Sequence, residues 1–325
     1  MTGRPATFLR EFPILRGTKT GGSPLSSLLR ALTLFLLAIP ALFAHPGHGL
    51  QTDMDGNFFF TDIARQTIWR ADASGHLTAL ATGIWSHQLW RGPDGALYFT
   101  DEEQVAGEPG YSLHRLDMDG VHDTLIAPVG RHAVPSDIFT LNTAGDLFIA
   151  GNQALFRGTP LLPLTPLALT RDDRPFRSEG VRSLLATFDG RLVVVDRDRL
   201  LAVSADGAVT LLGDGLLRDN PSNIPIPDAP NPESINRLFG ACADAAGGFY
   251  VAYFGNRQVL RVGPDGTIAA LYTAEAPWSP VGVAMAGPDL IIKEHGFVAE
   301  RGWIGPRLQR LAADGVVRTI VAVDR

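Results

Sequence analysis

Two linked phrases, Gly92-Pro-Asp-Gly95-Ala-Leu-Tyr-Phe-Thr-Asp101 and Leu113-His-Arg-Leu-Asp-Met-Asp-Gly120, decide the fold because the chain repeats them. An earlier copy reads Gly49-Leu-Gln-Thr-Asp-Met-Asp-Gly56-Asn-Phe-Phe-Phe-Thr-Asp62, then Ile68-Trp-Arg-Ala-Asp-Ala-Ser-Gly75. Further copies surround Gly145, Gly190 and Gly247, with a worn one around Pro288. Asp-Gly and Ser-Gly between short alternating apolar runs are hairpin turns, because glycine accepts the positive φ that such turns require. Each copy carries four such runs. Four-stranded units repeated in series are the blades of a β-propeller.

The turn glycines are 39, 50, 45 and 57 residues apart. The reading is all-β: a six-bladed β-propeller of four-stranded antiparallel blades over residues 45–325. Expected blades are 48–83, 87–129, 136–170, 181–215, 237–274 and 280–323, the last with a register uncertain by one residue. Contiguous blades would close the ring by side-chain packing. Residues 216–236 hold Pro221, Pro225, Pro227, Pro230 and Pro232, which exclude ladder pairing and predict an extended loop.

Residues 1–30 carry Arg4, Arg10, Arg16, Lys19 and Arg30 against one acid, Glu11, and an apolar run of 14 residues follows at 31–44. That run is too short for a bilayer core of ~30 Å at ~1.5 Å per helical residue. A basic stretch, a short apolar core and Ala44 read as a signal peptide over 1–44, so the protein is expected to be exported, periplasmic or extracellular. No other run predicts a membrane span. The net charge is −6 with no basic cluster, which argues against a nucleic-acid partner. A lone cysteine, Cys242, excludes an internal disulfide and a cysteine-built zinc site.

Eight residues before each turn glycine lies the start of an innermost strand, at the mouth of the central channel. These positions are His48, His87, Asp137, Arg182 and Phe239, with Pro280 or Val281 in the last blade. Two histidines and an aspartate on consecutive blades match a two-His-one-carboxylate metal site, in which bound water becomes a nucleophile. Arg182, Arg237 and Trp278 are the candidates for holding substrate. Six residues after the turn glycines stand Asp62, Asp101, Gly151, Asp196, Tyr253 and Glu294. Asp62 and Asp196 read as turn-bonding residues. Asp101-Glu102-Glu103 and Glu294-His295 exceed what a turn needs and supply candidate catalytic groups Asp101, Glu294 and His295, or an oxygen site for calcium. Weaker candidates are His45, a copper chelator if cleavage follows Ala44, and Trp85 and Trp303 as an apolar wall. Cys242, within an apolar inner strand, reads as an inert buried thiol.

The inner strands, Asp-Gly turns and Tyr/Phe-Phe-Thr-Asp phrases resemble those of the NHL-repeat and gluconolactonase/regucalcin-like group of six-bladed propellers. That group includes lactonases, lyases and binding modules. In its NHL-type amidating lyases, histidines that open inner strands hold zinc, as His48 and His87 would; Asp137 stands where a third histidine is expected. Gluconolactonase-like members hold calcium through an N-terminal Glu-Gly-Pro phrase that is missing here, Glu179-Gly180 occurring only before blade four. The resemblance thus implies a metal-dependent hydrolase or lyase of a small molecule, lactone or ester opening first, with zinc, iron or calcium as the metal. The alternative is a propeller that binds a ligand or protein without chemistry.

Overall fold

The computed structural model describes residues 46–105, 108–130, 135–151, 153–160, 163–187, 189–217, 236–298 and 301–323. The expected signal peptide, His45 and residues 218–235 with the five prolines lie outside them. Among the described residues there is no α-helix, and so none long and apolar enough to cross a membrane.

Six four-stranded antiparallel sheets follow one another, within residues 50–82, 89–130, 139–167, 181–213, 238–273 and 278–322, and form a six-bladed β-propeller. Within each sheet the strands neighbour one another in chain order, so every blade is a meander. The turn glycines Gly56, Gly95, Gly145, Gly190 and Gly247 all have φ between 80° and 87°, a conformation that L side chains resist. Blade six turns differently. Ala286 pairs with Asp289, leaving a two-residue turn of Gly287 and Pro288 in place of the longer loops elsewhere. Its inner strand therefore begins at Trp278, and Pro280 lies opposite Glu294.

Blades are twisted sheets that bury both faces, and the core is divided accordingly. Six apolar clusters occur, one at each junction between successive blades. The junction that closes the ring packs Leu50, Phe58 and Phe60 of blade one against Ala284, Ile291, Leu308 and Val321. Polar contacts join it. Lys293 is fully buried and its Nζ donates to the carbonyls of Gly47 at 2.7 Å and Gly49 at 3.3 Å, and to that of Thr61. Arg65 reaches the carbonyl of Gly305 at 3.1 Å. Closure is thus packing plus a hydrogen-bonding clasp by Lys293 on the first described residues.

Segment 170–180, between blades three and four, holds a small hairpin pairing Thr170–Arg171 with Arg174–Pro175. Asp172 and Asp173 turn it with φ of 51° and 60°, which short Asx side chains tolerate.

Candidate active site at the channel mouth

The innermost strands pack so closely that the channel is nearly filled. A Cβ on Gly282 would fall 2.5 Å from the carbonyl oxygen of His48, so only glycine permits this approach. Beside His48, Gln88, Trp90 and Gly240 a cavity of about 20 Å³ remains, room for a single water.

At the mouth, the backbone of blade one is tied to blade two: the amides of His48 and Gly49 both donate to the carbonyl of His87, each at 2.8 Å. This brings the two expected histidines side by side. The His87 Nδ1 then lies 2.9 Å from Asp137 Oδ2 on blade three. His48 Nε2 lies 2.6 Å from the side-chain amide of Gln88, and the His48 ring stands 5.7 Å from that of Phe239. Gln88 is fully enclosed and its Oε1 also accepts from the Phe139 amide at 3.1 Å. Burial works to raise the Asp137 carboxyl, but the adjacent His87 and His48 overcome it and hold the group at about 2.

Arg182 and Arg237 occupy the starts of the neighbouring inner strands of blades four and five. Arg182 falls at a bulge between Val181 and Ser183. Neither arginine pairs with an acid among the described residues, and the Arg237 Nε is buried without a hydrogen-bond partner. Burial, then the charge of Arg182, lowers the pKa of Arg237. Two like charges that have no counter-ion among the described residues suit an anionic ligand.

The remaining expected site residues are elsewhere. Glu294 is fully buried, accepting from Arg307 Nε at 2.6 Å and from the Tyr272 hydroxyl at 2.8 Å; burial pushes its carboxyl up against the pull of Arg307. It has no face for a substrate and acts as a packing element between blades five and six. Trp278 belongs to the same region, with the Arg307 guanidinium 4.2 Å over its ring. His295 is buried opposite Ser279 on the inner strand of blade six. Trp303 packs at a tilt against Phe254 and edge-to-face against Phe297, which makes it interblade packing. Cys242 is buried, and burial pushes its thiol up, as expected of an inert cysteine.

Asp62 and Asp196 are turn residues that also anchor arginines: Arg65 at 2.9 Å and Arg199 at 2.8 Å, while Asp196 further accepts the amides of Glu179 and Gly180. Asp101 has another setting. It accepts the Trp85 amide at 2.6 Å and stands beside Glu103 and His114.

His48, His87 and Asp137 do not gather as three metal ligands. Nδ1 of His87 is directed at Asp137 and Nε2 of His48 at Gln88. Among the described residues, the group that brings three ligand-type atoms within 4.8 Å of one another is Asp101, Glu103 and His114. Sequence reasoning singled out neither Gln88 nor His114. The available signal was the alternation of polar Asp101 and Glu103 in one strand and Ser112 and His114 in the next, on a hairpin with strands of nine residues where most blades have five.

No protein-family model matches the chain, and no curated protein matches it. Solved structures do. Virginiamycin B lyase from Staphylococcus aureus aligns at 16% identity with a TM-score of 0.51, covering 84% of this chain and 83% of that one. Regucalcin, a calcium-binding protein from Agrobacterium tumefaciens, aligns at 20% identity and a TM-score of 0.55, covering 76% and 81%. An auxiliary nutrient binding protein from Bacteroides thetaiotaomicron aligns at 10% identity and a TM-score of 0.54, covering 83% and 67%. The regucalcin-like resemblance of the repeats is therefore present in the fold. At these identities the likeness is one of fold, and this fold carries both enzymes and binding proteins.

Proposed function

We propose that the channel mouth binds a small anionic molecule and opens it by acid–base chemistry, as a hydrolase or lyase with a lactone or ester as the first substrate class. The observation that carries this reading is the His87–Asp137 contact of 2.9 Å, with Arg182 and Arg237, which pair with no acid among the described residues, at the inner-strand starts of blades four and five. A carboxylate 2.9 Å from Nδ1 favours the tautomer protonated there, which leaves the lone pair on Nε2. In lactone opening, His87 takes a proton from water as the water oxygen bonds to the carbonyl carbon. It returns the proton to the ring oxygen as the carbon–oxygen bond breaks. Arg182 and Arg237 hold the anionic part and offset the charge that develops on the carbonyl oxygen. No step is routed through a metal, because the mouth residues do not assemble a ligand set.

The test is turnover of a panel of lactones and aryl esters, some bearing a carboxylate. His87→Ala is expected to lower kcat by about 10²–10⁴, the usual worth of a general base. Arg182→Ala with Arg237→Ala should raise KM for the carboxylate-bearing members more than for the neutral ones. Turnover unchanged in His87→Ala would overturn the reading. Tight binding of a panel member without turnover would leave the non-catalytic propeller in its place. Residues 1–44 extend the proposal to location: their basic and apolar pattern supports export, and N-terminal sequencing of secreted protein should begin at His45.

A further inference from the structure

The turn acids of this ring come with cations, except in blade two. Asp62 has Arg65 at 2.9 Å, Asp196 has Arg199 at 2.8 Å, and Glu294 has Arg307 at 2.6 Å. Asp101 holds the equivalent place, six residues after its turn glycine, yet no lysine or arginine lies within ion-pair distance of it among the described residues. Its neighbour is a second carboxylate, Glu103, which likewise has no cationic partner. Three sister blades show how the fold neutralises this position. Among the described residues, blade two supplies no positive charge here and doubles the negative one, which is costly in a half-buried setting.

A nitrogen ligand stands ready at the same spot. Leu97–Val105 and Glu108–Leu116 pair so that Asp101 faces Ser112, Glu103 faces Gly110 and Phe99 faces His114. Alternation along both strands puts Phe99, Asp101, Glu103, Ser112 and His114 on one face of the hairpin. His114 is buried and its ring is stacked on Phe99, with centroids 5.1 Å apart and planes 16° from parallel. Its Nδ1 is engaged by His122 Nε2 at 2.9 Å and Thr124 Oγ1 at 3.2 Å. Nε2 therefore points the other way, toward Ser112 Oγ at 2.6 Å, which in turn reaches Glu103 Oε1 at 2.8 Å. An imidazole locked by stacking, with one nitrogen held by a neighbour and the other turned toward two carboxylates, is the preparation that metal-binding histidines receive.

We infer that Asp101, Glu103 and His114 form a binding site for a first-row divalent transition metal on the blade-two hairpin, separate from the channel mouth. One imidazole with two carboxylates favours zinc, manganese or iron(II) over calcium, which takes oxygen ligands alone. The site has a mechanical connection to the mouth. Asp101 accepts the amide of Trp85, the Glu102 amide donates to the Trp85 carbonyl at 3.2 Å, and His87 follows two residues later. Thr100 Oγ1, next to Asp101, reaches the carbonyl of Asp137 at 3.4 Å. The strand end that would carry the metal thus supports both members of the His87–Asp137 contact. The metal acts as a positioning element and touches no substrate, so its presence does not depend on the proposed reaction.

The experiment is metal content of the full-length chain as produced, and again after chelation and reconstitution with zinc, manganese or calcium in turn, measured by elemental analysis. Three variants accompany it: Asp101→Asn/Glu103→Gln, His114→Ala, and His48→Ala/His87→Ala. About one equivalent of zinc or manganese is expected in the wild type and in the mouth double variant, with loss of at least tenfold in affinity in the two blade-two variants. Cobalt(II) substitution gives a second readout, a visible d–d band present in the wild type and absent from Asp101→Asn/Glu103→Gln. Circular dichroism melts establish that the variants compared are folded; the isosteric Asn/Gln pair serves if His114→Ala is not. Metal retained in Asp101→Asn/Glu103→Gln, metal lost in the mouth variant, or no binding by reconstituted wild type would each overturn the inference.

Discussion

Asp137 shows how a residue's charge state depends on neighbours supplied by other blades. Its carboxyl is held at about 2, against 3.8 in an unstructured chain, because His87 and His48 outweigh the burial that would raise it. A folded-state pKa below the unfolded one means that the stabilisation is complete above about pH 4 and is lost as pH falls toward 2. The shift corresponds to about 2 kcal/mol. Urea unfolding at pH 5, 4, 3 and 2 should therefore show a steeper acid loss in the wild type than in Asp137→Asn, and equal slopes would remove His87 and His48 as the cause. The positions of His48, His87 and Asp137 were legible in the sequence because depth along a strand is local counting from a turn glycine. Their partners were not. Gln88 meets His48 across a blade junction, and the Glu294–Arg307 contact depends on a strand register that no single repeat displays.

At the scale of the element, the repeat was readable wherever an Asp-Gly turn marks it, since the positive φ is a property of one residue and needs no tertiary context. Blade six reads with its register uncertain by one residue, because its two-residue Gly287–Pro288 turn carries no such dipeptide. The same blade contributes Lys293, an unlikely residue for a strand centre by composition, whose ammonium nevertheless finds carbonyls of Gly47, Gly49 and Thr61. A buried cation with several acceptors is tolerable, whereas the acceptors without it are stranded away from water. Lys293→Met is predicted to lower unfolding free energy by roughly 1–3 kcal/mol, the cost of leaving buried acceptors unsatisfied. Denaturant midpoints at constant slope would measure it. A loss under ~1 kcal/mol would mean that solvent replaces the clasp.

A ring of contiguous blades has one junction that is unlike the others, because its two sides come from opposite ends of the described chain. Five junctions are joined by covalent connections between blades; blade six meets blade one through packing, Lys293 and Arg65. Residues 47–49 serve both sides of blade one, accepting from Lys293 at the closure and donating through the His48 and Gly49 amides to the His87 carbonyl of blade two. Loop-closure entropy opposes any joint that spans most of the chain, so its contacts must be supplied by the ends themselves. A chain beginning at His45 keeps every one of these groups and should unfold in a single transition. One beginning at Leu50 loses two of the carbonyls that hold Lys293 and leaves that amine buried with fewer acceptors. It is predicted to unfold earlier by roughly 3 kcal/mol or more, with blade six exchanging amide hydrogens faster than blades three and four. Equal protection of all blades in the shorter chain would show that apolar packing of Leu50, Phe58 and Phe60 closes the ring unaided.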